Sequence, residues 1–152
     1  GREGMVRVAE YATLNGNYLM ARLTEAGFDM ALPSRRATHE FILTLKRQAK
    51  EQGVTAMDFA KRLLDYGFHA PTTYFPLIVP ECLLIEQKET ESKETLDAFT
   101  EVMKTIQDEA EANPELLKDA PYTLPVRRLD DVKAARELNL KYSPAKVSPT
   151  KD

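Results

Sequence analysis

The clearest strand pattern in the chain is Thr38-His39-Glu40-Phe41-Ile42-Leu43-Thr44-Leu45. Successive side chains of a strand point to opposite faces, so the odd-numbered residues from His39 to Leu45 share one face and the even-numbered residues share the other. The odd-numbered set is the more apolar. We therefore predict a strand over 38–45 whose odd-numbered face, including His39, lies against the core.

A second strand is predicted at Cys82-Leu83-Leu84-Ile85-Glu86. A strand with one face in water alternates apolar and polar residues, whereas this run is continuously apolar. The pattern therefore favours a central strand covered on both faces. Cys82 is the only cysteine of the chain, and one cysteine forms neither an internal disulfide nor a thiolate metal cluster. Because free cysteines are usually buried and inert, we predict that Cys82 packs in the core.

Two further extended segments flank these strands. The run from Phe28 to Leu32 alternates in polarity before Pro33, as a short strand that ends at a turn does. Between Gly67 and Glu81 the chain carries three prolines, Pro71, Pro76 and Pro80. Because proline lacks a backbone donor, any strand in that segment is expected to be very short or at an edge.

Helices are predicted around these strands. Apolar residues recur at three- and four-residue steps from Met5 to Ala26, although Asn15-Gly16-Asn17 interrupts them with poor helix formers. Gly27 and Gly67 supply helix ends, and Thr55 is placed to cap the helix that ends at Gly67. Later helices are predicted after Ser92, after Asn113 and, capped by Asp130, over 131–138; the stretch 46–52 is noted only as charged.

Strands that lie between helices without regular βαβ alternation favour an α+β fold. We expect a small, mainly antiparallel sheet with helices packed on one face. Residues 1–142 are expected to form this domain, and the Ser-, Pro- and Lys-rich stretch 143–152 is expected to be a disordered tail.

Composition narrows the classes of function. The 152 residues are 43% hydrophobic and 30% charged with a net charge of −3, and the basic residues are scattered among acidic ones, which argues against nucleic-acid binding. The apolar runs are too short for a membrane span, and the first residues do not look like a secretory signal, so a cytoplasmic protein is expected. With two histidines and one cysteine, no metal site is expected.

A few polar residues are explained least by structure alone. Arg35 and Arg36 form either a solvated turn or a guanidinium clamp for a carboxylate or phosphate. His39 is either a hydrogen-bonded core histidine or a residue at a cleft. His69 and Thr72 either belong to a turn held by local bonds or stand on a proline-shaped loop that presents polar groups at a cleft.

Four blocks of the chain are informative when taken together: Asn17–Met20, Arg36–Leu43, Lys61–Thr72 and Glu89–Lys93. In order and spacing they resemble glycine dehydrogenase (decarboxylating), the P-protein of the glycine cleavage system, and more closely the second subunit of its two-chain form. The resemblance covers roughly residues 4–142. The chain departs from the family pattern where Gly16 replaces an expected Ala and Gln87-Lys88 replaces an expected Pro-Thr.

The resemblance implies the C-terminal small domain of a type I pyridoxal-phosphate enzyme, which closes over the cleft of a large domain. In such an enzyme the cofactor is the electron sink for loss of the glycine carboxylate, and the aminomethyl group passes to the lipoyl arm of the H-protein. The partners implied are the large cofactor-binding domain, the first P-protein subunit, the lipoylated H-protein and glycine.

No block of this chain resembles the family's lysine-bearing segment, so the cofactor lysine is not assigned here and the chain is expected to be inactive alone. Within the resemblance, His39, His69 and Thr72 are expected to face the inter-domain cleft. Arg35 or Arg36 is the candidate clamp for a carboxylate or for the cofactor side, by analogy with the small-domain arginines of type I enzymes. The alternative is an autonomous α+β module that binds a small ligand or partner protein and has no exposed apolar surface left to cover.

Overall fold

The fold is built on a four-stranded antiparallel sheet with strand order β1-β2-β4-β3. The structure, a computed structural model, describes residues 1–141, so the predicted tail 143–152 lies outside the described residues. The strands are β1 (Asp29–Met30), β2 (Glu40–Thr44), β3 (Thr72–Thr73) and β4 (Cys82–Glu86). The predicted α+β class with a small antiparallel sheet is confirmed, and β4 is central as expected.

Helices make up most of the remaining fold, and one of them was not predicted. They are α1 (Arg2–Glu25), α2 (Lys46–Gln52), α3 (Ala56–Asp65), α4 (Lys93–Ala112), α5 (Pro114–Lys118) and α6 (Asp131–Arg136). The stretch taken only as charged is helix α2, which ends at Gly53 in the left-handed conformation (φ 68°). Good helix formers followed by such a glycine were the signal that sequence reasoning passed over.

The two faces of the sheet have different surroundings. Phe41, Leu43, Leu83 and Ile85 belong to the buried cluster that also contains apolar residues of α1, α3 and α4. Ile42 and Leu84 lie on the opposite face and are only partly buried. We call this second face the open face. The prediction that the odd-numbered residues of β2 face the core is therefore confirmed within the strand.

The prediction that His39 belongs to the core is wrong. His39 is exposed, because β2 begins one residue later at Glu40 and the strand pleat does not orient residue 39. Its ring lies 3.2 Å from the Thr38 hydroxyl, measured from Nδ1. Cys82, in contrast, is fully buried as predicted, and this burial raises the pKa of its thiol.

Helix α1 is longer at its start than predicted and runs through the Asn15-Gly16-Asn17 triplet without a break. All residues from 1 to 11 are exposed, whereas Leu19 and Leu23 are buried in the core. The first half of α1 therefore projects from the body of the domain, and the second half packs against it.

The segment after α5 is tied to the body by two side chains. The Asp65 carboxylate accepts hydrogen bonds from the backbone N–H groups of Tyr122 (2.6 Å) and Thr123 (2.8 Å). Arg128 donates to the Asp58 carboxylate (2.7 Å) and to the Leu117 carbonyl (2.7 Å). Because these bonds satisfy backbone groups of a segment without strand partners, residues 122–129 are docked against the body of the domain.

Acid is expected to weaken this docking. Burial tends to raise the pKa of Asp65, but the hydrogen bonds from Thr123 and Tyr122 outweigh it and hold the pKa below its ordinary value. The stability that this carboxylate contributes is therefore complete above the unfolded pKa of about 4 and is lost as pH falls through the lower folded pKa. Thermal melts between pH 6 and pH 3 test this: Asp65→Asn should be less stable at pH 6, and its deficit should shrink in acid. A deficit independent of pH contradicts the assignment.

Candidate functional site

The five predicted site residues fall into two groups rather than one pocket. Arg35 and Arg36 lie in the loop between β1 and β2, and both are exposed. Thr72 lies on β3, at the far edge of the sheet from β1. His39 and His69 line two separate cavities. The open face connects the first three residues, and the end of β4 separates the two histidines.

Side chains on the open face form a row that runs from Thr72 towards Arg35 and Arg36. In the strand register Leu84 is paired with Thr72 on one side and with Ile42 on the other. Directly paired residues of antiparallel strands share a face, so these three side chains form one row. Ile42 and Leu84 in turn line a cavity of about 240 Å³ together with Arg35 and Arg36.

Neither arginine has an acidic partner within 4 Å among residues 1–141. Arg35 is held in a turn by a hydrogen bond from its backbone N–H to the Leu32 carbonyl (3.1 Å). Glu40 also lines this cavity, but it lies beyond ion-pair distance of either arginine. Two guanidinium groups without an acidic partner among the described residues suit a planar anion such as a carboxylate, because each guanidinium offers a fork of donors.

The two histidines flank the same wall at the end of β4. The wall consists of Glu86, Gln87 and Lys88, which line both the His39 cavity and the His69 cavity. Lys88 donates a hydrogen bond to Glu86, and this bond holds the pKa of Glu86 below and that of Lys88 above its usual range. The wall therefore presents an ion pair rather than a free acid or base.

The His69 cavity is about 330 Å³ in volume and reaches down to the core. Its floor includes the buried residues Leu19, Ile85 and Leu96, and its rim carries His69 and Glu91. An apolar floor with a few polar groups at the mouth is the usual character of a small-ligand or side-chain pocket. No group of three or more His, Cys, Asp or Glu placed to hold a metal occurs among residues 1–141.

Sequence reasoning treated the Asn15-Gly16-Asn17 triplet only as a weakness of α1, although its asparagines bond to the segment after Arg36 and to the turn after β4. Asn15 donates to the carbonyls of Lys88 and Glu91, each at 3.0 Å. Asn17 contacts the backbone of Ala37 through both ends of its side-chain amide. Three consecutive poor helix formers cost about 2 kcal/mol relative to alanine. That cost in mid-helix was the available signal that these side chains have another role.

The two departures from the family pattern, Gly16 and Gln87, contact each other. A Cβ atom at Gly16 would lie 2.6 Å from Gln87 Nε2, so glycine makes room for the glutamine. Gln87 Nε2 donates to the carbonyls of His39 (2.7 Å) and Ala12 (3.4 Å), which fixes the amide orientation, and Oε1 is buried without a partner among residues 1–141.

A double-mutant cycle tests this coupling. In the Gln87→Ala background, Gly16→Ala should raise the free energy of unfolding by about 1 kcal/mol, because alanine favours the helix and its Cβ has room. In the native background that gain should vanish or reverse, which gives a coupling energy of about 1–2 kcal/mol. Urea unfolding of the four proteins measures it. Equal effects of Gly16→Ala in both backgrounds contradict the contact.

Comparison with known proteins gives matches over most of the chain. A family model described as "Glycine dehydrogenase, C-terminal domain" matches residues 8–121. "Probable glycine dehydrogenase (decarboxylating) subunit 2" of Thiobacillus denitrificans is 77% identical over 145 residues, covering 95% of this chain and 30% of that protein. Proteins of the same name from Legionella pneumophila strain Corby and Nitrosospira multiformis are 70% and 69% identical, covering 93% and 92% of this chain.

The chain thus spans about 30% of the length of the curated relatives that it matches. Within residues 1–141, no helix is both long and apolar enough to cross a membrane.

Proposed function

Because the chain belongs to the glycine dehydrogenase C-terminal domain family, we propose that residues 1–142 act as the C-terminal domain of a glycine decarboxylase of the glycine cleavage system. The observation that carries the proposal is the 77% identity over 95% of the chain to a protein named as subunit 2 of this enzyme. In this role the domain covers the cleft of a large domain and is inactive alone. We further propose that the assembly is cytoplasmic.

Pyridoxal phosphate is the cofactor of the proposed enzyme, and it supplies the electron sink for loss of the glycine carboxylate. The lysines among residues 1–141 do not suit its attachment, because none of them is buried. Lys88, which lines two cavities, is paired with Glu86, and that pair raises its pKa, whereas a nucleophilic lysine needs a lowered pKa. The attachment lysine therefore belongs to the large domain.

The role of this chain in the proposed enzyme is to bind and to exclude water. Arg35 or Arg36 is the group that holds a carboxylate at the cleft, since both lack an acidic partner within the described residues. Thr72 is on the same face, and His39 and His69 stand at the wall formed by Glu86, Gln87 and Lys88. We propose glycine as the substrate, and the first P-protein subunit and the lipoylated H-protein as partners.

Exposed apolar side chains support a covered domain rather than an autonomous module. They occur on the first half of α1, on the loop between β3 and β4, and on the segment after α5. Examples are Met5 (69% exposed), Leu77 (86%), Ile78 (91%) and Leu140 (90%). Apolar groups concentrated in a few segments are typical of surfaces that another domain or subunit covers. The module alternative predicts no such surface.

Association with a separately made large-domain chain tests the proposed assembly. The double variant Leu77→Asp/Ile78→Asp places charges on the apolar tip of the β3–β4 loop, where both residues are almost fully exposed. We expect the variant to fold normally. Its dissociation constant for the large-domain chain, measured by sedimentation, should rise at least tenfold, because charges at the centre of an apolar interface lose solvation. Thr105→Asp, on an exposed position of α4, is the control and should bind normally. Equal binding by both variants excludes this loop from the interface.

A further inference from the structure

We infer that Asn15 and Asn17 of α1 are positioning residues that hold the two backbone segments of the proposed cleft at a fixed separation. The first segment carries Arg35, Arg36 and His39, and the second is the stretch 86–91. This inference rests on the proposed function for its consequence in catalysis, whereas the contacts themselves are present in the isolated domain.

Asn17 binds one residue of the first segment at two points. Its Nδ2 donates to the Ala37 carbonyl (2.8 Å), and its Oδ1 accepts from the Ala37 backbone N–H (3.1 Å). A side-chain amide thus does for Ala37 what a neighbouring strand does for a strand residue. Since Ala37 directly follows the arginine pair, this clamp determines where the backbone of Arg35 and Arg36 lies.

Asn15, which lies about half a turn away on α1, binds the second segment through its donor nitrogen alone. Its Nδ2 donates to the carbonyls of Lys88 and Glu91, 73 and 76 residues away in sequence. These bonds close the turn that joins β4 to α4, where Lys88 and Glu91 line the His69 cavity. Because both asparagines stand on one rigid helix, they fix the two segments relative to each other.

Gln87 completes the arrangement by joining the two segments directly. Its Nε2 donates to the His39 carbonyl (2.7 Å), and it reaches that position because Gly16 has no side chain. The segment 37–39 is consequently held at Ala37 by α1 and at His39 by Gln87. These bonds are part-buried or exposed, so each adds only about 1 kcal/mol to stability, while the satisfied network rigidifies the segments that it joins.

Amide hydrogen exchange on the isolated chain tests the clamp. In Asn17→Ala, the Ala37 amide should exchange at least tenfold faster than in the unaltered chain, after correction for global stability. Asn17→Asp keeps the acceptor for that amide and should fall between the two. Ile106→Val, a buried change in α4, lowers global stability without contacting the clamp and should leave the corrected Ala37 rate unchanged. Unchanged exchange at Ala37 in Asn17→Ala overturns the inference whatever the activity.

Steady-state kinetics in the mixture with the large-domain chain test whether the clamp serves catalysis. Asn17→Ala should raise the KM for glycine about tenfold and leave kcat within about twofold, because a displaced arginine weakens carboxylate binding. Ile106→Val should leave both constants unchanged. Faster exchange at Ala37 with an unaltered KM shows a purely structural contact and overturns the positioning role. If the unaltered mixture fails to decarboxylate glycine, the proposed function fails, while the exchange result still decides the clamp.

Discussion

Replacing Arg62 by alanine is expected to lower the free energy of unfolding by about 3 kcal/mol, because it leaves two part-buried carboxylates without their cation. The guanidinium donates to both oxygens of Glu109 (2.8 and 2.7 Å) and to Asp65 (3.0 Å). The side chains of Arg62, Glu109 and Asp65 are only 15%, 18% and 3% exposed. Urea unfolding at pH 7 measures the loss.

A surface ion pair supplies the matched control for Arg62. Lys104 and Glu101 are paired at 3.1 Å, with side chains 47% and 60% exposed. Lys104→Ala should cost less than about 1 kcal/mol, since water screens an exposed pair. The double variant Arg62→Met/Glu109→Leu should recover part of the loss, because it removes one of the two unpaired carboxylates, while Asp65 keeps its hydrogen bonds from the Tyr122 and Thr123 N–H groups. If Arg62→Ala costs no more than Lys104→Ala, the network does not join α3 to α4.

Leu43→Ala is expected to cost about 3 kcal/mol, while Leu84→Ala on the adjacent strand should cost about 1 kcal/mol or less. Leu43 is fully buried among the helices, and Leu84 lies on the open face, partly exposed. The two changes remove the same atoms from neighbouring strands of one sheet. A larger loss in the free energy of unfolding for Leu43→Ala than for Leu84→Ala therefore shows that the face carrying Leu43 is the core face in the isolated chain.

Urea unfolding of both variants under the same conditions measures the difference between their free energies of unfolding. The slope of the free energy against urea should be the same for both, since neither change alters the surface exposed on unfolding by much. Similar losses for Leu43→Ala and Leu84→Ala contradict the assignment of an open face and the row of side chains from Thr72 to the arginines.

Local sequence patterns predicted the sheet well because strand periodicity and burial agree in it. The alternation in β2 and the continuous apolar run of β4 identified both strands and the central place of β4. His39 was assigned to the core by extending the same alternation one residue before the strand begins. Periodicity alone does not mark where a strand starts, so its end residues are the least secure part of such a prediction.

The contacts that build the candidate site were not predictable from local patterns. Asn15 and Gln87 bond to groups more than 70 residues away, and only the packed fold shows that these groups meet. The low helix propensity of Asn15-Gly16-Asn17 was visible in the sequence, but the contacts that the two asparagines make were not. The loop arginines were singled out as a polar cluster that structure alone explains least, with a solvated turn as the alternative, and only the family resemblance favoured the clamp.

Release of labelled CO₂ from carboxyl-labelled glycine tests whether this chain completes a glycine decarboxylase. The assay compares this chain, a separately made large-domain chain with the first P-protein subunit, and their mixture, each with pyridoxal phosphate and lipoylated H-protein. We expect CO₂ release by the mixture and none by this chain alone. Release by this chain alone, or a mixture no more active than the large-domain preparation although the chains bind, contradicts the proposed function.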